Sequence, residues 1–278
     1  MINFNGQLVA TSNANIENNR GFLYGDAVFE TLKVLDGKVL FSEDHYFRLM
    51  ASMRILRMEI PMNFSLEFLE EEVLKTTKAA GLNNARVRLT VFRSGKGKYS
   101  PDTRAVEYLI TTEHTNAIYS ASTESYEVEL FKDFYVSKHL LSTLKTTNRL
   151  INITASIFAE ENKYDNCLLI NDDKNIVEAI NGNIFVVKDN VIATPPVSDG
   201  CINGIMRKKI IELIQKDENL QWEERSVSPF ELQKADEIFI SNVIQGIQPV
   251  TKYRKKYFER TIADRLLIKL NAHIRFNS

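Results

Sequence analysis

Between His114 and Ser125 the chain reads HTNAIYSASTES, a polar stretch rich in small residues. It parts two regions that are patterned differently. Upstream, strand and helix signals are mixed. Downstream, short apolar runs of strand length crowd together, with a few helical periods between them. A chain of 278 residues holds roughly two domains at about 150 residues each. The expected division is a smaller N-terminal α/β domain over residues 1–116, a linker over 117–125 and a larger, strand-rich C-terminal domain over 126–278.

In the first region, Val28–Val34 and Lys38–Phe41 flank Asp36-Gly37, a strong hairpin signal. An amphipathic helix is expected over Glu43–Met58, with Tyr46, Leu49, Met50, Met53 and Leu56 on its apolar stripe and His45, Arg48 and Ser52 together on another face. A second helix, Ser65–Ala80, stops at Gly81. Strands Ala85–Arg93 and Ala105–Thr112 follow, joined by the glycine-rich loop Ser94–Pro101. In the second region strands are expected at Tyr126–Leu130, Cys167–Ile170, Ile184–Val187, Val191–Ala193 and Glu237–Ser241, with a hairpin turn at Asp189-Asn190. Helices are expected at Asn148–Asn162, Ile205–Gln215 and Ala263–His273, and a short capped one at Ser228–Glu231. Strands and helices do not alternate regularly, so the fold class is α+β and not a dinucleotide-binding βαβ chain.

Several function classes drop out. The apolar runs are too short to span a bilayer, and Met1–Gly6 shows no secretory signal. Two cysteines, Cys167 and Cys201, make neither a disulfide framework nor a zinc site, so a reducing, cytoplasmic setting is expected. Basic and acidic residues balance at 35 and 36, without the excess a nucleic-acid binder shows. The four histidines lack metal-ligand spacing, and no phosphate-cradling glycine motif of the GxGxxG or GxxxxGK[ST] kind is present.

Four features carry chemistry. Lys145 follows an apolar run and precedes Thr146-Thr147-Asn148, a cap cluster for the next helix; a helix N-terminus and nearby Arg149 would lower an amine's pKa, as a nucleophilic lysine requires. Glu178 interrupts the apolar stretch Ile176–Ile180, where a buried carboxylate needs a cationic or proton-sharing partner. Gly200–Arg207 is a glycine-containing turn opening a helix, a seat for a phosphate with Arg48 as a second clamp. Arg93, Lys96 and Lys98 lie in and beside the glycine-rich loop and could receive a substrate carboxylate. Each has an ordinary explanation by itself: a surface lysine, a solvent-facing glutamate, a loop-to-helix junction, a solvated loop.

Their combination and order resemble the class IV, fold-type IV family of pyridoxal-phosphate enzymes over nearly the whole chain. That group holds branched-chain aminotransferases, D-amino-acid transaminases and aminodeoxychorismate lyases. Its opening is similar to Arg20–Thr31 (RGFLYGDAVFET), and its arginine sits in His45-Tyr46-Phe47-Arg48-Leu49. The resemblance implies a two-domain α+β fold, a homodimer and pyridoxal 5'-phosphate as cofactor. Lys145 would hold the cofactor and move the proton, and Glu178 would pair with the pyridine nitrogen. The phosphate would meet Arg48, Gly204 and the backbone of Ile205 and Met206, with Asn242 and Val243 on the same side and Asn181 and Asn183 completing the cofactor pocket. Tyr24, Arg93 and Lys98 would receive an amino or carboxylate substrate.

Within the family the motifs resemble 4-amino-4-deoxychorismate lyase most. Lys145–Leu150 matches Lys-x-x-Asn-Arg-Leu, Asn203–Arg207 matches Asn-Gly-Ile-Met-Arg, and Asn242–Val250 (NVIQGIQPV) is closer to the lyase tail than to the Gly-Thr-Ala-Ala of branched-chain aminotransferases. Those aminotransferases carry tyrosine where this chain has Leu150. The segment Gly25–Thr31 is nearer the aminotransferase form. The implied activity is release of pyruvate and 4-aminobenzoate for folate synthesis. The alternatives are an aminotransferase for branched-chain or D-amino acids and, more remotely, a catalytically silent binding protein of the same fold.

Overall fold

A computed structural model describes residues 1–10, 16–122 and 124–277; residue 123 of the expected linker lies outside that set. The chain forms two compact units. The first comprises residues 1–117 together with Lys145–Asn148, and the second Ile118–Leu144 with Arg149–Asn277. The expected C-terminal domain, 126–278, had included Lys145–Asn148; backbone hydrogen bonds to a strand of the first unit claim that segment instead.

The first unit is one antiparallel sheet covered by two helices. Its elements are β1 (Ile2–Phe4), β2 (Gln7–Val9), α1 (Arg20–Tyr24), β3 (Ala27–Leu35), β4 (Lys38–Val39), α2 (Ser42–Ile55), α3 (Leu66–Ala79), β5 (Ala85–Arg93) and β6 (Val106–His114). Strand order is β2-β1-β6-β5-β3-β4. The β3–β4 hairpin turns at Asp36 and Gly37, whose φ values of 49° and 75° are the left-handed pair that a two-residue turn requires. Alternation decides the faces. Val28, Leu32 and Val34 of β3, with Val87, Leu89 and Val91 of β5, pack on Leu49, Met50 and Met53 of α2 and Leu69 and Val73 of α3. Burying each such side chain contributes about 1.5–3 kcal/mol. Glu30 has the same parity as Val28 and Leu32, which sends a carboxylate to the helix side. His45 and Ser52, expected together on a face other than the apolar stripe, are buried, and the Glu30 carboxylate gives His45 its polar partner there.

The second unit places two sheets around one core. Its elements are β7 (Glu127–Val136), α4 (Leu150–Asn162), β8 (Asn166–Asn171), β9 (Ile176–Ala179), β10 (Asn183–Lys188), β11 (Val191–Thr194), α5 (Ile205–Gln215), β12 (Gln221–Glu224), β13 (Glu237–Asn242), β14 (Gly246–Val250), β15 (Lys252–Tyr253), β16 (Lys256–Tyr257) and α6 (Thr261–Asn277). The orders are β16-β15-β7-β8-β9 and β12-β11-β10-β13-β14. Leu168 and Ile170 of β8 meet Ile184 and Val186 of β10 and Ile238 and Ile240 of β13 between the sheets. Cys167 and Leu169 turn the other way, onto Ala155 and Ala159 of α4. Both faces of β8 are therefore covered, and its sequence reads as a continuous apolar run.

Several boundaries shift. β7 runs on to Val136, past the expected Leu130. It pairs in parallel with β8 across α4, and β11 pairs in parallel with β12 across α5, so two βαβ crossovers sit within an otherwise irregular order. At Ser228 the Glu231 carboxylate accepts from the Ser228 N–H at 2.8 Å as expected of a capping box, but only a single 3-10 turn, Glu231–Gln233, follows.

Candidate active site

The residues singled out for chemistry fall into one set in each unit. In the first, Lys145 lies alongside β3. The Phe29 N–H donates to the Lys145 carbonyl at 2.8 Å, the Thr147 N–H donates to the Ala27 carbonyl at 3.1 Å, and Val28 and Thr146 form an antiparallel bridge. The Asn148 amide donates to the Gly25 carbonyl at 3.2 Å. Thr146–Asn148 thus do not cap the next helix. α4 begins later, at Leu150, with Arg149 at the cap position and its guanidinium donating to the Leu144 carbonyl. The backbone ladder to β3, not a helix terminus, fixes Lys145. Its Nζ lies 4.7 Å from the centre of the Phe29 ring, and the Arg88 guanidinium lies 3.7 Å from the same centre. Such cation–ring contacts hold both cations next to one aromatic face or edge.

Arg48, on α2, is held in a fork. Its Nε donates to Glu30 Oε1 at 2.8 Å and its second terminal nitrogen to Glu30 Oε2 at 2.5 Å. His45 Nδ1 donates to Glu30 Oε2 at 2.7 Å. Burial pushes the Glu30 pKa up, but the charge of Arg48 and its hydrogen bonds, together with those of His45, bring it down to about 2, so the carboxylate is ionised. Burial pushes the His45 pKa down, against the raising effect of Glu30, and the cations Arg48 and Lys145 lower it further. His45 is therefore a neutral imidazole.

Of the expected substrate cations, Arg93 has its guanidinium engaged elsewhere. Arg93 is buried; its Nε donates to Asp26 Oδ2 at 2.9 Å and its terminal nitrogens to the carbonyls of Leu56 and Arg57 at the end of α2. Lys98 offers its carbonyl to Arg20, at 2.8 Å, and Arg20 takes the Gly97 carbonyl as well, which ties the Ser94–Pro101 loop to α1. Tyr24, exposed at the end of α1, packs under the Arg20 guanidinium and edge-on to Tyr99. The cation that shares an aromatic ring with Lys145 is Arg88, which the sequence reading passed over. The available signal was an arginine inside the apolar strand Val87–Val91.

In the second unit Glu178 is buried on β9, opposite Leu169 of β8. Its Oε2 accepts from the Ile202 N–H at 2.9 Å, and the Asn183 amide donates to the Ile202 carbonyl at 2.8 Å. One residue of the turn is therefore gripped from both sides. Gly204 caps α5, which has no side-chain cap, and a Cβ on Gly204 would stand 1.9 Å from Asn183 Oδ1. The first N–H groups of a helix, those of Ile205 and Met206 among them, have no intrahelical acceptor, and the dipole adds positive potential. Across the ladder from Asn183, Ser241 carries a buried Oγ without a partner among the described residues. Asn181 Oδ1 accepts from the Asn166 amide at 2.9 Å. Asn242 Oδ1 accepts from the N–H groups of Ile244 and Gln245, and the Val243 carbonyl accepts from the Tyr119 hydroxyl at 2.5 Å. Burial pushes the thiols of Cys167 and Cys201 up to about 12, so neither is a nucleophile at neutral pH. Among the described residues no three His, Cys, Asp or Glu side chains gather to hold a metal.

Each set by itself suits part of pyridoxal phosphate: in the first unit an amine fixed beside a strand suits its aldehyde, and in the second a buried carboxylate and a glycine-started helix without a side-chain cap suit its ring nitrogen and phosphate. The class of protein they define is the pyridoxal-phosphate enzymes. Comparison with known proteins narrows the class: the model for amino-transferase class IV matches residues 27–253, and the chain belongs to that family. It is 31% identical to a putative branched-chain-amino-acid aminotransferase of Methanocaldococcus jannaschii, over 90% of this chain and 86% of that protein. It is 27% identical to a D-alanine aminotransferase of Staphylococcus epidermidis, over 89% and 87%. The crystal structure of a putative 4-amino-4-deoxychorismate lyase from Legionella pneumophila superposes with a TM-score of 0.85 at 25% identity, over 96% of this chain and 97% of that one. The α+β architecture is fold-type IV, and the chain is a pyridoxal-phosphate-dependent lyase or aminotransferase.

Proposed function

We propose that the protein is a 4-amino-4-deoxychorismate lyase, releasing pyruvate and 4-aminobenzoate for folate synthesis. The observation that carries this reading is the anchored segment Lys145–Leu150. Its Lys-x-x-Asn-Arg-Leu pattern resembles the lyase's, Asn148 ties it to the Gly25 carbonyl, and Leu150 supplies no hydroxyl where branched-chain aminotransferases carry tyrosine. The Asn203–Arg207 and Asn242–Val250 segments point the same way.

When bound, pyridoxal phosphate supplies an electron sink for the carbon next to the substrate nitrogen. The chain's own residues supply the rest. Arg48 and the N–H groups of Ile205 and Met206 would hold the phosphate, with Gly204 leaving room for it. Glu178, steadied by the Ile202 N–H, would pair with the pyridine nitrogen and keep it protonated. Lys145 anchors the cofactor, then takes the proton from the amino-bearing carbon and returns a proton as the enolpyruvyl group departs and the ring aromatises. Arg88, beside Phe29, would receive a substrate carboxylate in place of Arg93, with Tyr24 of α1 and Lys98 of the Ser94–Pro101 loop as further substrate contacts. Chromatography of 4-aminobenzoate formed from 4-amino-4-deoxychorismate tests the reading. Product from the wild type and none from Lys145→Ala is expected. A wild type that holds the cofactor yet forms no 4-aminobenzoate would exclude the lyase.

The aminotransferase reading uses the same residues and is favoured by the 31% identity to a protein named as a branched-chain aminotransferase. In that case Lys145 moves the proton between the substrate carbon and the cofactor. We also infer a cytoplasmic homodimer. The location follows from two cysteines that make no disulfide framework, both of them free thiols, and the dimer from an exposed apolar stripe on α4, with Leu150, Ile153 and Ile157 at helical spacing and Leu150 76% exposed.

A further inference from the structure

Glu30 belongs to none of the roles above, yet it is ionised and only 2% exposed. An ionised carboxylate in a core of Val28, Leu32 and Leu49 costs several kcal/mol unless its partners are fixed. Here they are. The Arg48 fork occupies both oxygens, and the neutral His45 adds a third hydrogen bond. His45 is itself immobile: it is 2% exposed, its Nε2 has no partner among the described residues, and it lines a small apolar cavity with Leu32, Val39, Leu49 and Leu69. A side chain with a single polar contact in an apolar wall has one orientation to adopt. A bidentate fork also fixes the plane of a guanidinium, turning its Nε edge to the carboxylate and the opposite edge away.

We propose that Glu30 and His45 are positioning residues that aim Arg48 at the cofactor phosphate: His45 orients the Glu30 carboxylate, and Glu30 sets the plane and edge that Arg48 presents. The inference rests on the reading of Arg48 as a phosphate ligand. It gives the pair a consequence a merely structural ion pair lacks, namely preference for the phosphorylated cofactor over pyridoxal, which has the same ring and aldehyde but no phosphate.

The test is the ratio of the Kd values for pyridoxal and pyridoxal phosphate, measured by absorbance titration of the cofactor-stripped protein, with circular dichroism as the check on folding. Glu30→Gln removes one charged acceptor and sets an amide against Arg48 donors. Pyridoxal phosphate should bind about 10- to 100-fold more weakly, with pyridoxal nearly unchanged. His45→Gln keeps an N–H for Glu30 and should retain most of the preference, whereas His45→Leu should lose it. Unaltered preference in a folded Glu30→Gln, or equal weakening of both ligands, overturns the inference. Arg48→Ala separates the premise: if it leaves the preference intact, the phosphate role of Arg48 itself is wrong. Should the Glu30 variants fail to fold, the two His45 variants carry the test: equal preference for the phosphorylated cofactor in folded His45→Gln and His45→Leu overturns the inference.

Discussion

Replacing Gly204 by alanine adds one methyl group where, among the glycines of the second unit, there is least room for it. The backbone there has φ −73°, so alanine is conformationally acceptable and the whole effect is steric. The new Cβ would lie 1.9 Å from Asn183 Oδ1, well inside any contact distance, and Asn183 is only 5% exposed and cannot swing into solvent. Either the start of α5 retreats or the Asn183 amide releases the Ile202 carbonyl, and Ile202 is also the residue whose N–H steadies Glu178. Overpacking of this kind costs about 1–3 kcal/mol. Where the displaced groups are the cofactor's own ligands, that converts to about 5- to 150-fold weaker pyridoxal phosphate binding. The assay is thermal unfolding with and without cofactor, alongside a cofactor titration. A double-mutant cycle sharpens it. Asn183→Ala removes the clashing oxygen, so the double variant should bind cofactor better than the two single losses summed would allow. Strict additivity, or a Gly204→Ala protein with wild-type affinity, would refute the argument that this glycine is a steric requirement of the phosphate seat.

Three further outcomes are expected. Glu178→Gln keeps an acceptor for the Ile202 N–H, so the cofactor should remain bound while turnover falls by about 10²- to 10³-fold, the usual cost of one preorganised electrostatic group; unchanged turnover would remove Glu178 from the pyridine nitrogen. Arg88→Leu should raise KM for a carboxylate substrate about tenfold or more with a smaller change in kcat, since it removes a charge-assisted contact in ground and transition states alike; steady-state kinetics checks this. Glu30 has a folded pKa of about 2 against an ordinary 4.5, a depressed value, so its contribution is fully present above pH 4.5 and is lost as pH falls toward 2. It amounts to something on the order of 3 kcal/mol, and acid unfolding followed by circular dichroism should be less steep in Glu30→Gln.

Much of this molecule could be read from its residues, for identifiable reasons. The β3–β4 hairpin, α2, α3 and β5 follow from period and turn chemistry, because local signals there agree with the packing. β1 and β2 are three residues each, too short to show a period. β9 and β14 have every residue buried, so neither shows the alternation that marks a strand. Lys145 and Glu178 stood out because a charge in an apolar context needs an explanation. The reason first given for Lys145, a helix terminus, was wrong: long-range backbone pairing with β3 outweighed the local cap signal of Thr146–Asn148. Arg93 misled in the same way. Three cations near a glycine-rich loop read as a carboxylate site, but whether a guanidinium faces substrate or the end of a helix depends on tertiary neighbours. Glu30 was visible only as part of a motif; its bond to Arg48 spans 18 positions and has no local signature.

The most direct measurement is the visible spectrum of the purified, cofactor-loaded protein during addition of one equivalent of 4-amino-4-deoxychorismate, and then, on fresh protein, of D- and L-amino acids without a keto acid. A lyase returns the cofactor unchanged, so the starting band should persist after one equivalent of pyruvate has been released, and the amino acids should leave the band in place. Bleaching to the amine form by an amino acid, with no pyruvate from the chorismate derivative, would contradict the lyase assignment and establish a transaminase whose substrate is the amino acid that bleached it.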